Sequence, residues 1–403
     1  MKQSVAIIGG GASALVLACE LDPEKFQVVI YEKNAALGRK FLVAGDGGLN
    51  FTHSENEASF ISKFTPSNFL KAAFKKFPNT SFIKWMNDLD IPTFVGSSGR
   101  LFPQKGIKPI EVLDKIKIKL LSIGVHIFYK HTWKGFTASN KLLMKSQDSE
   151  IEIDADICVF CLGGASWSVT GSDGSWLPYF QSKNIQTNSF QASNCAFQIM
   201  WEQDFVSKIE GKVLKNISSS CGNQKHLGEV VLTQFGLEGS GVYPLSPSIR
   251  SELDQHGTAI LHLDFKPNVS LDNLIKKLNM SSEQKNVTSR LKENINLSPV
   301  QILLLKNQLN KSDFLDIKKL ASFIKDFQMT ITALAPIDEA ISSVGGISLE
   351  AITEHFELKD IKNKYVIGEM LDYDAPTGGY LLQSCFSMAS FLANHLNTSQ
   401  TKS

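Results

Sequence analysis

The sequence predicts an α/β protein in which a parallel, doubly wound sheet is assembled from both ends of the chain, with β-rich and helical pieces inserted between. Three observations predict it. The apolar run Ser4-Val5-Ala6-Ile7-Ile8 ends in Gly9-Gly10-Gly11, and a helical stretch then leads to a second apolar run, Val28-Val29-Ile30-Tyr31, that closes on Glu32. A strand-type run, Ile157-Cys158-Val159-Phe160-Cys161-Leu162, enters the pair Gly163-Gly164. Near the C-terminus the same texture returns as Tyr365-Val366-Ile367-Gly368-Glu369.

The first element reads as the opening half of a Rossmann-type dinucleotide-binding βαβ unit. Gly9 lets the strand turn tightly into a helix, Gly11 leaves room for backbone to approach a pyrophosphate, and Ala14 is the third small position, where helix meets strand. The helix, from about Ala12 to Leu21, points free N–H groups and the positive end of its dipole at the phosphates. Glu32 lies 21 residues beyond Gly11, placed to accept a hydrogen bond from a ribose hydroxyl. A competing reading makes Lys2, the uncharged stretch and Val16-Leu17-Ala18-Cys19 a lipoprotein signal. Three consecutive glycines would break its apolar core, and Glu32 would be left without a role.

At 403 residues the chain has room for two or three domains, and 43% hydrophobic with 20% charged residues is ordinary globular composition. Lys and Arg number 41 against 40 Asp and Glu, so no global field draws the chain to nucleic acid or an anionic membrane. The glycines leave no apolar run of membrane-spanning length, and the default expectation is a cytoplasmic protein. Cys158 and Cys161 have the spacing of a redox dithiol. Residues three apart on a strand face opposite sides, which favours buried core thiols instead. No Cys/His cluster has metal-ligand spacing.

After Glu32 come Gly38-Arg39-Lys40 and the glycine-dense stretch Gly45-Asp46-Gly47-Gly48-Leu49-Asn50-Phe51-Thr52-His53. Two cations beside a phosphate-binding unit, then backbone free of side chains, suit a second phosphate contact and a flat ring. Residues 66–92 read as helical core, Ser97–Pro103 as a turn in which Arg100 reads equally as a substrate contact or a solvated surface charge, and Ile110–Leu121 as an amphipathic helix with a wet lysine face. Val125–Tyr129 reads as a strand and Lys141–Ile153 as a hairpin-like return. From about Phe190, short alternating runs suggest an antiparallel sheet or barrel. Ser270 to Phe327 turns helical, with caps expected at Ser270, Ser282 and Ser298.

The late return, through Gly345-Gly346 and Gly368-Glu369 to Ala375-Pro376-Thr377-Gly378-Gly379-Tyr380, brings a last parallel strand and a new helix to the same ligand. Glu369 is placed to bind polyol hydroxyls. The dipole of a helix starting at Gly379–Tyr380 suits the anionic N1/O2 edge of a reduced flavin. A plain nicotinamide dehydrogenase has no use for that distant motif.

With Gly9–Ala12, Gly38–Phe41, Gly47–His53, Gly163–Trp167 and Gly171–Gly174, Gly236–Gly239, Gly345–Ile347 and Gly368–Gln383 in hand, the whole chain resembles the bacterial FAD-dependent flavoproteins grouped as the BaiN/RdsA (YhiN-like, aminoacetone oxidase) family. The resemblance implies a two-dinucleotide-binding FAD domain from 1–189 with 345–403, an inserted β-barrel domain from 190–266 with 328–344, and a helical insert at 267–327. By carry-over the FAD site comprises Gly9, Gly11, Ala12, Ser13, Ala14, Glu32, Lys33, Arg39, Lys40, Gly163, Gly368, Glu369, Gly379, Tyr380 and Leu381. This chain has Gly48-Leu49-Asn50 where most of the family has Arg-Cys-Asn, so an arginine and a cysteine near the flavin are absent. Ala389 replaces a glycine of the last helix.

The expected activity is hydride transfer between flavin N5 and an organic substrate, such as reduction of a conjugated C=C bond, with NADH or NADPH as a transient reductant. Only one nucleotide fingerprint is visible, and it is used by FAD. Candidates beside the flavin ring are Asn50, Thr52, His53, Arg100 and Gln383. His53 is the choice for proton transfer because its side chain alone titrates near neutrality; a loop histidine bonded to backbone is the competing reading. Alternatives are a ribosomal RNA uracil reductase, with a basic stripe from Lys71, Lys75, Lys76, Lys105 and Lys108, an amine oxidase, and a flavin-loaded redox sensor.

Overall fold

Val5–Ile8 of the first strand, Gln3–Ile8, are apolar and buried on both faces because the strand lies at the centre of a five-stranded sheet. A computed structural model of the chain describes residues 1–43, 48–147, 149–280 and 286–399. The sheet runs Lys364–Val366, Ile157–Phe160, Gln3–Ile8, Phe26–Glu32, His126–Tyr129, and all four pairings are parallel. The terminal strands Gln3–Ile8 and Lys364–Val366 flank Ile157–Phe160, so the two ends of the chain meet within one sheet. All carboxyl ends point the same way. In such sheets ligands bind at that edge.

Two helices set the nearby framework. Ala12–Glu20 follows the first strand, and the C-terminal helix Tyr380–Thr398 packs against it. The expected helix over 66–92 is two helices, Lys71–Lys76 and Asn79–Asp88. Pro78 separates them because it has no N–H to donate and drives Phe77 out of the helical region. Phe82 then stacks on Phe386 of the C-terminal helix at 4.4 Å between ring centroids. The stretch Ser97–Pro103 is also more than a turn. Gly96–Gly99 makes the turn, while Arg100–Pro103 is a strand between Thr52–His53 and Thr93–Val95. Alternating burial of Arg100, Leu101, Phe102 and Pro103 is the pattern behind it, and the pairing sets Arg100 opposite His53.

The chain divides into two compact units, 1–192 with 337–403 and 193–336. In the second, a seven-stranded antiparallel sheet has Phe327–Ile331 at one edge and Ala333–Leu334 at the other. Only Thr332 separates these edges along the chain, so the sheet curls back on itself. Five helices between Leu271 and Lys325 belong to this unit among the described residues. Ser270 and Ser298 cap two of them by accepting from Asn273 and Gln301 N–H; Asn286 caps a third. Ser282, expected as a cap, lies outside the described residues, as do 44–47 of the glycine-dense loop. No described helix is long and apolar enough to cross a membrane.

Candidate functional site

At the carboxyl edge of the parallel sheet the strand ends open on one cavity of ≈ 490 Å³. Its walls include Gly9–Ser13 after the first strand, Glu32–Asn34 after the second, Cys161–Gly163 after Ile157–Phe160, and Ile367–Glu369 after the last. Gly9 is fixed there by shape: its φ is +97°, and a Cβ would lie 2.5 Å from the Cys161 carbonyl oxygen. Gly11 differs. A Cβ there meets nothing within 4 Å, so the missing side chain leaves open space in the cavity wall.

Two helix N-termini face this space. Ala12–Glu20 begins after Gly11 and Tyr380–Thr398 after Gly379; neither has a side-chain cap or an acidic residue in its first turn. Their leading N–H groups and positive dipole ends are thus left for an anion. Gly379 is required by contact as well as by its φ of +92°, since a Cβ would sit 2.5 Å from Thr52 Cα.

The polar walls near the first helix are held rigid by their own bonds. Glu32 is 7% exposed; one carboxylate oxygen accepts from Gly10 N–H at 2.7 Å, the other from the Asn34 N–H at 2.8 Å and side-chain amide at 2.7 Å. Arg39 donates to the Asn34 side-chain oxygen at 2.9 Å and to the Val169 carbonyl at 3.0 Å. Lys40 reaches Ser166 Oγ at 2.9 Å and Glu369 at 3.2 Å. Lys33 pairs with Asp173 at 2.8 Å. Burial works to raise the Asp173 pKa, but hydrogen bonds from Lys33 and Ser175 outweigh it and hold the carboxyl below its usual range.

The opposite wall carries Gly48, Asn50, Arg100 and Pro376–Gly379. Asn50 Oδ1 is buried without a hydrogen-bond partner among the described residues, a costly state that a ligand donor relieves. Arg100 is half-buried, and its Nε passes 3.6 Å from where a Cβ on Gly378 would stand. Among the described residues it has no hydrogen-bond or ion-pair partner.

Of the residues expected to bind cofactor, Gly9, Gly11, Ala12, Ser13, Glu32, Lys33, Arg39, Lys40, Gly163, Gly368, Glu369, Gly379 and Leu381 line the cavity, with Asn50 and Arg100. Ala14 does not; it is wholly buried in the core. Tyr380 turns away, packing on Phe60 at 4.8 Å and His53 at 5.6 Å. Burial, then the charge of Glu55, raises its pKa well above the usual value, while Arg100 pulls the other way. His53 is a correction to the sequence reading: its Nε2 donates to the Ser98 carbonyl at 2.9 Å, its Nδ1 accepts from Glu55 N–H at 3.2 Å, and it does not line the cavity. With both ring nitrogens used by backbone, it ties down the loop that carries Arg100. Thr52 and Gln383 are likewise buried outside the cavity wall, Gln383 donating to the Phe77 carbonyl at 3.1 Å and to Ser387 Oγ at 3.0 Å.

Sequence reasoning missed Asn34, Asp173, Trp133 and Cys385, all in the wall. Asp173 stood inside a glycine motif that was noticed; the others carried no local signal. Cys161 and Cys385 both line the cavity, and burial raises both thiols, Cys385 to about 12 with Glu369 adding to the rise. Cys158 instead lies beside Lys364 and outside the cavity wall, so Cys158 and Cys161 part company as strand geometry requires.

A family model described as HI0933-like protein Rossmann domain matches residues 3–395. The chain belongs to the HI0933-like family. The family places it among FAD-dependent oxidoreductases, in agreement with the resemblance read from the glycine motifs. Two relatives are each 23% identical: a ribosomal RNA dihydrouridine synthase of Haemophilus influenzae, over 95% of this chain and 96% of its own, and a 3-dehydro-bile acid delta(4,6)-reductase of Clostridium scindens, over 94% and 95%. Among solved structures, the 3-ketosteroid delta1-dehydrogenase of Sterolibacterium denitrificans is similar with a TM-score of 0.54 and 11% identity, covering 99% of this chain and 100% of that one. An open-conformation flavocytochrome c3 fumarate reductase has a TM-score of 0.52 at 9% identity, over 98% and 78%. These likenesses establish the Rossmann-type flavoenzyme fold of this HI0933-like chain. The residues present fit FAD: an open cradle at Gly11, two uncapped helix N-termini, and an orphaned acceptor on Asn50.

Proposed function

We propose that this protein reduces a C=C bond conjugated to a carbonyl in a small or medium organic substrate. The observation that carries the reading is the convergence of four strand ends and two uncapped helix N-termini on one cavity, with Asn50 and Arg100 on its far wall. In this reading Gly11, Ala12 and Ser13 hold the pyrophosphate, and Glu32 takes a ribose hydroxyl with the lone pairs its three protein bonds leave. Glu369, braced by Lys40, would hold the ribityl hydroxyls, and the N-terminus at Gly379–Leu381 would balance negative charge on the flavin pyrimidine. FAD, when bound, supplies two-electron chemistry at N5. The protein's part is to orient substrate, exclude water and hold developing charge. The C=C assignment is supported by the bile-acid reductase relative at 23% identity over nearly its whole length.

The test is anaerobic. Protein loaded with FAD is mixed with NADH or NADPH, then with an enone or the corresponding isolated alkene. Bleaching by a nicotinamide and reoxidation by the enone alone is the expected result. A protein that takes up no FAD, or a reduced flavin that ignores every enone, overturns the reading.

A second reading makes the conjugated bond part of an RNA base. It is favoured by the dihydrouridine synthase relative and by the exposed lysines 71, 75, 76, 105 and 108. Salt-dependent RNA binding that weakens in a Lys71/Lys75/Lys76 charge-removal variant supports it.

A further inference from the structure

We infer that Arg100 is the substrate's oxygen anchor, selecting ligands that carry, or develop, negative charge on a planar conjugated oxygen. The inference rests on the proposed function and adds the group that makes it work. When a hydride from reduced flavin adds to one carbon of C=C, an electron pair is left on the other carbon. If that carbon is conjugated to C=O, the pair passes to oxygen, and a proton later taken up at carbon restores the carbonyl. The oxygen needs a cation or strong donor at that moment.

Among the described residues, four lysine and arginine side chains line the cavity: Lys33, Arg39, Lys40 and Arg100. Three are committed among the described residues. Lys33 is bound to Asp173, Arg39 to Asn34 and the Val169 carbonyl, and Lys40 to Ser166 and Glu369. Of the four, the Arg100 guanidinium alone has no hydrogen-bond or ion-pair partner among the described residues, although Glu55 and Arg100 both act on Tyr380. That carboxylate is engaged elsewhere, accepting from Ser59 Oγ at 3.1 Å and facing His53 Nδ1 at 3.8 Å and the Tyr380 hydroxyl.

The arginine is also held in place. It sits on a strand paired on both sides, Arg100 opposite His53 and Leu101 opposite both Thr52 and Val95. The loop before it is tied by Ser54 N–H to the Gly99 carbonyl at 2.8 Å and by His53 to the Ser98 carbonyl at 2.9 Å. A half-buried, pre-positioned guanidinium with unused donors is built to receive an oxygen anion.

The same chemistry has two sources, a substrate oxygen or the flavin's own pyrimidine edge. Pentafluorophenolate, a planar oxygen anion at neutral pH, separates them when titrated into FAD-loaded protein and followed by the flavin's visible spectrum, with pentafluorobenzene as the neutral control. Wild type is expected to bind the phenolate in preference to the control. Arg100→Gln should weaken it about tenfold or more, and Arg100→Lys should lie between. FAD content, melting temperature and flavin midpoint potential are measured for each variant. Lost phenolate binding with FAD content and potential close to wild type supports the anchor. Equal binding by wild type and Arg100→Gln, no phenolate binding by wild type, or a lowered potential with phenolate binding intact overturns it. Failure to load FAD at all would instead overturn the proposed function.

Discussion

The two walls of the cavity are built on opposite principles. Around the first helix, charged side chains are spoken for: Lys33 by Asp173, Lys40 by Glu369 and Ser166, Arg39 and Glu32 by Asn34. On the far wall Asn50 Oδ1 has no partner and Arg100 none among the described residues. A wall whose groups satisfy one another keeps its shape without ligand and offers backbone donors and space. A wall with unsatisfied groups is unfinished until something binds. The contrast suits the dinucleotide's phosphate and ribose along one side and, on the other, the flavin ring together with a transient substrate.

The largest expected effects separate shape from space within the rigid wall. Gly9→Ala drives a Cβ toward the Cys161 carbonyl at a left-handed φ and should cost about 2–4 kcal/mol of stability, read as a fall in melting temperature of the apoprotein. Gly11→Val, with open space at its Cβ, should fold with near-normal apoprotein stability and lose FAD affinity about a hundredfold or more by equilibrium titration. If both variants behaved alike, the distinction between a glycine for the fold and one for the ligand would fail.

Comparing the walls directly gives a middle-sized effect. Lys40→Met removes a cation that is only partly exposed and strands Glu369, and should cost about 1–2 kcal/mol in apoprotein stability. Arg100→Gln, which breaks no bond among the described residues, should stay within about 0.5 kcal/mol of wild type in the same urea titration. A large destabilisation by Arg100→Gln would mean that its wall is finished after all.

The smallest effect is electrostatic. The Asp173 carboxyl is held below its ordinary value of 3.8, so the folded state binds a proton there less readily than the unfolded state does. Its stabilising contribution is fully present above that value and is lost as pH falls through the lower folded pKa. The stability gap between wild type and Asp173→Asn should therefore be constant through neutral pH and close only in strong acid. A gap that closed near pH 6 would assign the linkage to another group.

The glycine turns, the acid after the second strand and the far return at Gly368-Glu369 were legible because each is a local demand of backbone geometry or phosphate chemistry. Asn50 stood out in the glycine-dense loop, and Arg100 in a separate turn at Ser97–Pro103 where it read equally as a substrate contact or a solvated surface charge. His53 was misread. Its residue type permits proton transfer, but its ring is claimed by a carbonyl 45 residues along the chain and by the face of Tyr380, facts of strand pairing that no local pattern carries. Cys385 was invisible for the same reason: a helix approaching from the other end of the chain puts it in the wall.

By itself, then, the sequence determined an α/β chain whose two ends share one nucleotide-binding sheet, because strand runs, glycine turns and helix starts are written in consecutive residues. Which cations are spent and which is left free was decided only in three dimensions. A side chain's partners come from whatever the fold brings within about 3 Å: those of Lys33 and Lys40, and the Val169 carbonyl that Arg39 reaches, lie on segments more than a hundred residues away.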